Sequence, residues 1–375
     1  MLLFVYTFLS LILILIASKK DIKIPFSIIV IFAFFFRIFI TLLFLTSRSD
    51  DINTFLRDGQ YLLDRSPKYD ASYFPFIGYF GMAALYLKNY IPPHIFLKII
   101  FTVFDVAILF PLYYLSKRNL QTVLIYSLNP ISIIIINIHG QMESIPLFFF
   151  LSGILFFMKN KLLTSILTLS YAIYTKPWPV LFVIPLIKKS KNKFLFILLA
   201  FFPIILTVIH SLFFPTSISD IFTRVKDHRG IFGAWGLSKV VLYFTSYHLS
   251  PFIELLMRRF FIVSFMVFSL FREDKNILKT ILMVMLFLFV FTPTFGIQWF
   301  TWLVPFIIIV KPKLWRIFLA VGSIYIGFGF AWDAYQYFRD IMPLWNSVVT
   351  RIGFLTWLFL VGMFFKNLHL SSQKH

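Results

Sequence analysis

The chain of 375 residues is 60% hydrophobic and 21% aromatic, with 13% charged residues and no cysteine. That apolar share is beyond a soluble domain, and the lack of cysteine excludes disulfides, thiolate metal sites and a cysteine nucleophile. The net charge of +20 raises nucleic acid as a partner, but the basic residues lie scattered between apolar runs, which argues against it.

Apolar runs fall at 1–17, 25–46, 94–115, 121–139, 144–158, 162–175, 177–187, 194–214, 251–271, 277–291, 298–310, 314–330 and 352–365. Several are shorter than the roughly 20 residues that a spanning helix needs. The alternation of short apolar and polar segments that marks an outer-membrane barrel is absent. The expected fold is therefore all-α: a single polytopic membrane domain over 1–375, with about 11–13 transmembrane helices. The first run has the length of a signal peptide, but no small-residue cleavage site precedes Lys19, so it reads as a retained span.

Charge sets the expected orientation. Alternate connections hold 19 of the 35 basic residues, among them Lys19, Lys117, Arg118, Lys159, Lys188, Lys189, Arg272, Lys279, Lys311 and Lys366. The positive-inside rule assigns these connections to the cytoplasm. The other connections carry ten of the fifteen acids. Two of them are large, at about 47–93 and 215–250, and a smaller one is "WDAYQYFRDIMPLW". Membrane lipids are the partners that composition implies, with anionic headgroups near the basic ends.

Taken along the chain, the chemistry-bearing residues collect at the outer side. Asp50 and Asp51 follow the second apolar run. An Asp is poor at a helix C-terminus and good as an N-cap, so the pair is expected to cap a helix over Asn53–Leu63. "RSPKY" and "ASYFPFIGY" follow, bringing Arg65, Tyr69 and Tyr73, and "FPFIGYFGMAALYL" reads as a helix lying in the interface. Asp105 is embedded in an apolar run, which makes it a site candidate or the partner of an embedded cation such as Arg37. Asn129-Pro130 breaks a run, and His139, Gln141 and Glu143 cluster beyond it. Lys176 is an isolated outer lysine beside Trp178, able to meet a phosphate as a point charge or to snorkel. Gln298, Trp299 and Trp302 sit at an outer boundary, where an aromatic belt is the simpler reading of the tryptophans. No Walker loop, GxSxG, HExxH or dinucleotide fingerprint occurs.

In their order these pieces resemble the GT-C superfamily of integral membrane glycosyltransferases, and within it the catalytic subunit of GPI mannosyltransferase I and its prokaryotic relatives. The resembling motifs are Asp50-Asp51 with Phe55, "DRSPKY", "ASYFPFIGY", Asp105, Asn129-Pro130, "GQMES", Lys176 with Pro179, and "QWFTWLVP". The acids are adjacent here, whereas the family spaces them Asp-x-Asp. The resemblance implies an inverting hexosyltransferase that moves a sugar, mannose by analogy, from a polyprenyl-phosphate donor to a lipid-linked or glycan acceptor. It implies a location in the cytoplasmic membrane of a prokaryote or in the ER membrane, with the site on the extracytoplasmic or lumenal face. It makes Asp51 the base and Asp50 its helper. Lys176, Arg65 and Arg229 would bind the donor phosphate, and Asp105, Tyr69, Tyr73, His139, Gln141, Glu143, Gln298 and Trp299 the substrates. A divalent metal (Mg or Mn) at Asp50 and Asp51 and a small membrane partner subunit stay open. Two rivals stay open as well: a transporter or lipid flippase with a midplane acidic site at Asp105, and a structural subunit of a larger membrane complex.

Overall fold

The computed structural model describes residues 2–19, 23–227, 230–245, 249–331 and 342–368. Among them the chain is helical almost throughout. The one sheet among the described residues is a short antiparallel pairing of β1 (Ile231–Phe232) with β2 (Thr294–Phe295), which ties the long connection 215–250 to the late "TPTF" turn.

Among the described residues five helices are long and apolar enough to cross a membrane: Phe26–Leu43, Pro93–Leu115, Leu120–His139, Phe194–Phe213 and Asn346–Leu368. Shorter apolar helices accompany them, including Leu2–Ala17, Ser144–Met158, Leu162–Thr175, Ile277–Phe291 and Trp315–Gly329. The expected run at 251–271 forms a helix, α15 (Pro251–Phe271). Its first half carries Glu254, Arg258 and Arg259, so it is not uniformly apolar. The last expected run grows into a 27-residue helix, Met342–Leu368.

Three local features position the site. The first is α3 (Asp50–Leu63), which begins earlier than expected. Ser49 rather than an Asp is its N-cap, with Oγ accepting from the Ile52 N–H at 3.3 Å, so both acids occupy the first turn. There they complement the positive end of the helix. Ile52, Phe55, Gly59 and Leu62 recur at three- and four-residue spacing and face inward. They pack against α4 (Phe76–Tyr86), the helix expected from "FPFIGYFGMAALYL". The two backbones touch where they cross. A Cβ on Gly59 would lie 2.2 Å from the Gly81 carbonyl carbon, and one on Gly81 would lie 2.0 Å from the Phe55 oxygen.

The second feature is the broken helix 120–139. α7 (Leu120–Ser127) stops before Asn129, a single turn α8 (Pro130–Ile133) follows, and a π-helix (Ile134–His139) ends on Gly140 at φ +89°. The break was legible at Asn129-Pro130, but the wide π turn was not. Asn129 Oδ1 takes the Ile131 N–H, 3.0 Å away, leaving the Ser127 carbonyl without its helical donor. Arg37 Nη1 fills that carbonyl at 2.9 Å, and Nη2 reaches the Tyr126 oxygen at 3.3 Å.

The third is the hairpin of α9 (Ser144–Met158) and α10 (Leu162–Thr175). Its two helices run in opposite directions, so the start of α9 meets the end of α10. That juxtaposition brings Glu143 to Lys176.

Candidate functional site

The N-terminus of α3 is clipped to the turn that ends the π-helix. The Ser49 N–H donates to the His139 carbonyl at 2.8 Å, and Ser49 Oγ donates to the Gly140 carbonyl at 3.3 Å. Lys98, fully buried, donates to the carbonyls of Ser47 and Ile138 and so ties the same two segments. Gly140 holds φ +89°, a backbone conformation that favours glycine, and a Cβ there would also displace Ile52 Cδ1, 2.3 Å away. The clip puts Asp51 against Gln141, whose Nε2 donates to Asp51 Oδ2 at 2.6 Å and sits 3.3 Å from His139 Nε2. Asp51 is half-buried, Gln141 is buried and Asp50 is exposed.

Beside this group lies a buried ion pair. Lys176 Nζ is 2.5 Å from Glu143 Oε1, and both side chains have about 1% exposure or less. The other carboxylate oxygen accepts from Trp302 Nε1–H at 2.7 Å. The ammonium lies 4.6 Å from the centre of the Tyr73 ring. Burial opposes the charged form of Lys176, but the carboxylates of Glu143 and, more weakly, Asp51 outweigh it and raise the Lys176 pKa. Burial pushes the Tyr73 phenol up to about 12, so it is protonated at neutral pH. Tyr69 donates its hydroxyl to the Tyr73 carbonyl and holds this turn in place.

Trp302 connects the pair to a cavity. Its indole stacks between Trp178, at 4.4 Å, and Trp299, at 5.1 Å. All three line a cavity of about 540 Å³ whose lining also includes Lys226, Arg259 and Arg258, the last paired with Glu254 at 2.5 Å, together with Leu255, Phe261, Ile262 and Leu288. Gln298 lines a smaller neighbouring cavity of about 240 Å³ that shares Trp299 and Gly230 with the larger one. Gln141 Oε1 and Trp178 Nε1 are buried with no hydrogen-bond partner among the described residues.

Seven of the expected site residues thus come together: Asp51, Tyr73, His139, Gln141, Glu143, Lys176 and Trp299. Others do not join them. Asp105 belongs to a separate buried group: Arg37 Nε lies 2.5 Å from its Oδ2, and the Tyr126 hydroxyl donates to its Oδ1 at 2.6 Å. Arg65 is exposed beyond the C-terminal end of α3. Twelve residues of helical rise, about 18 Å, already separate Asp51 from Leu63, two residues before Arg65. Arg229 lies outside the described residues, as do the acids of the smaller outer loop, Asp333 and Asp340. Lys176 is not the free cation that the sequence led us to expect. An ammonium so deeply buried needs a counter-charge, and Glu143 provides it. Among the described residues no group of three or more His, Asp or Glu forms a metal cage.

Reading the sequence missed four contributors. Lys98 was not singled out at all. Trp302 looked like part of an aromatic belt. Arg258 and Arg259 were hidden inside an apolar run, although two adjacent arginines within such a run are a signal that could have been weighed. No protein-family model, no curated protein and no solved structure matches the chain.

Proposed function

We propose that this chain is a polytopic membrane glycosyltransferase of the GT-C type, which transfers a sugar, mannose by resemblance, from a polyprenyl-phosphate donor to a lipid-linked or glycan acceptor on the outer face. The observation that carries the reading is the meeting of Asp51 with Gln141, Tyr73 and the Lys176–Glu143 pair beside an aromatic cavity with cations in its lining. Each part has a chemical use. Asp51 is the half-exposed carboxylate of the group and takes the proton from the acceptor hydroxyl. The oxygen then attacks the anomeric carbon while the bond to the phosphate oxygen breaks. The lipid phosphate leaves with the electron pair, and the anomeric configuration inverts.

Because Lys176 is committed to Glu143 and Arg258 to Glu254, 2.5 Å away, the departing phosphate falls to Lys226 and Arg259 in the cavity lining. The apolar wall formed by Leu255, Phe261 and Ile262 suits the start of a polyprenyl tail. The unpartnered Gln141 Oε1 would accept from a sugar hydroxyl, and the unpartnered Trp178 Nε1–H would donate to a phosphate oxygen.

The test is purified protein with polyprenyl-phosphate mannose and a panel of lipid and glycan acceptors. Asp51→Asn is expected to lower transfer by about 10²- to 10⁴-fold while the melting temperature in detergent stays within a degree or two of the parent. Undiminished transfer by Asp51→Asn would remove the proposed base and the reading with it.

A further inference from the structure

A second cavity, remote in sequence from the Asp51 group, has the features of a lipid site. It measures about 540 Å³ and lies between α14 (Gly236–Phe244) and the last helix, labelled α19 here (Met342–Leu368). Each helix lines it with the same spacing: Lys239, Val240, Tyr243 and Phe244 on one side, Thr350, Arg351, Phe354 and Leu355 on the other. Positions i, i+1, i+4 and i+5 share a face, so both helices present a polar turn next to an apolar one.

The polar turns hold charge, on Lys239 and its neighbour Arg351, with no carboxylate partner among the described residues. Lys239 Nζ donates to Thr350 Oγ1 at 3.1 Å. Burial pulls the Lys239 pKa down, the direction expected of a desolvated ammonium that lacks a counter-charge.

Depth is fixed by a neighbouring contact. Trp357 Nε1 donates to the Val290 carbonyl at 2.9 Å, near the end of α16 (Ile277–Phe291) farther from the basic Lys275 and Lys279. Arg351 lies six residues before Trp357, about 9 Å further outward along the helix. Below Arg351 the same face continues through Leu355 and Leu358, which are 64% and 46% exposed. A cationic turn at the outer boundary above an open apolar stripe matches a headgroup above acyl chains.

We propose that this cavity binds an anionic phospholipid of the outer leaflet, its phosphate between Lys239 and Arg351 and its acyl chains along Phe354, Leu355 and Leu358. The inference rests on the membrane reading proposed above but not on sugar transfer, and it is tested without any sugar donor. Purified protein in detergent is titrated with phosphatidylglycerol or phosphatidylcholine and examined by native mass spectrometry. The parent is expected to retain one phosphatidylglycerol more tightly than phosphatidylcholine, and Lys239→Gln/Arg351→Gln to bind it about tenfold more weakly. In a second measurement Phe354→Trp is placed in bilayer discs. Brominated phosphatidylglycerol should quench the added fluorescence more than brominated phosphatidylcholine does, a readout that holds even if the double variant fails to fold. Equal retention of the two lipids, unchanged binding by the double variant, or equal quenching would overturn the proposal. So would stabilisation by inorganic phosphate alone as large as that by phosphatidylglycerol, since the site would then take free phosphate.

Discussion

Arg37–Asp105 and Lys176–Glu143 are both ion pairs with about 1% exposure or less, each closed at 2.5 Å, yet their surroundings differ. Arg37 spends its remaining donors on the carbonyls of Tyr126 and Ser127, which the break before Pro130 leaves short of helical partners. The inner pair is thereby part of the backbone's own hydrogen-bond accounting. The outer pair touches side chains instead, the Trp302 indole and the Tyr73 ring, and through Trp302 it borders a cavity. A pair that repairs a broken helix has a structural purpose. A pair that braces an aromatic stack beside a half-exposed acid positions a site.

Breaking the inner pair should have the largest effect. Asp105→Ala leaves a buried guanidinium without its counter-charge, at a cost of about 3–5 kcal/mol, read as a lowered denaturation midpoint in detergent. The double variant Arg37→Met/Asp105→Leu should recover little of that loss, because the Ser127 carbonyl stays unfilled. At the outer pair the pattern should reverse. Glu143→Leu alone costs a similar amount, but Lys176→Met/Glu143→Gln, which removes both charges and keeps an acceptor for the Trp302 N–H, should recover most of the stability while sugar transfer stays lost. Equal recovery in the two double variants would erase the distinction drawn here.

This contrast also shows where reading the sequence stops. One Arg and one Asp in apolar runs with no other embedded acid nearby can be matched by cost alone, so Arg37–Asp105 was legible. The helix break was legible because Pro130 lacks an N–H. Glu143 and Lys176 are 33 residues apart, at opposite ends of a hairpin whose register no pattern specifies, and each read plausibly as a substrate contact. Trp302 reads as a belt residue because an indole at a membrane boundary needs no further reason to be there. Its partner becomes visible only when α17 (Phe300–Val310) is seen packed beside the hairpin. Asp51 at its family-like spacing was legible, but its hydrogen bond to Gln141 depends on the Ser49 and Lys98 clip, which is held largely by carbonyl oxygens and leaves little trace in the residue types.

The brace itself gives a test of intermediate size. Trp302→Phe keeps the ring but removes the N–H that Glu143 accepts. Loss of a hydrogen bond to a charged group costs about 1.5–3 kcal/mol, measurable as a lowered midpoint. If the outer pair positions the site, transfer should fall more than stability accounts for, with the Michaelis constant for the donor rising as the wall of the cationic cavity loosens. A fall in stability with unaltered kinetics would make Trp302 an ordinary core residue.

The smallest expected effect concerns a carboxylate buried in a different way. Asp58, 2% exposed, accepts the N–H groups of Asp70 and Ala71 at 2.9 and 3.0 Å and so folds the outer turn onto α3. Burial pushes its carboxyl up to about 6, against the opposing pull of those two N–H groups. Between pH 4 and 6 the folded chain therefore keeps a proton that the unfolded chain has released. Stability should fall as pH rises through that window and level off above it, by an amount on the order of 2 kcal/mol. Asp58→Asn should flatten the melting temperature over pH 4–7, and it should also lower it throughout, because the amide can accept only one of the two N–H bonds. A parent whose melting temperature rises steadily from pH 4 to 6 would show that the N–H groups outweigh burial, and that this acid belongs with the charge-stabilised carboxylates of the two ion pairs.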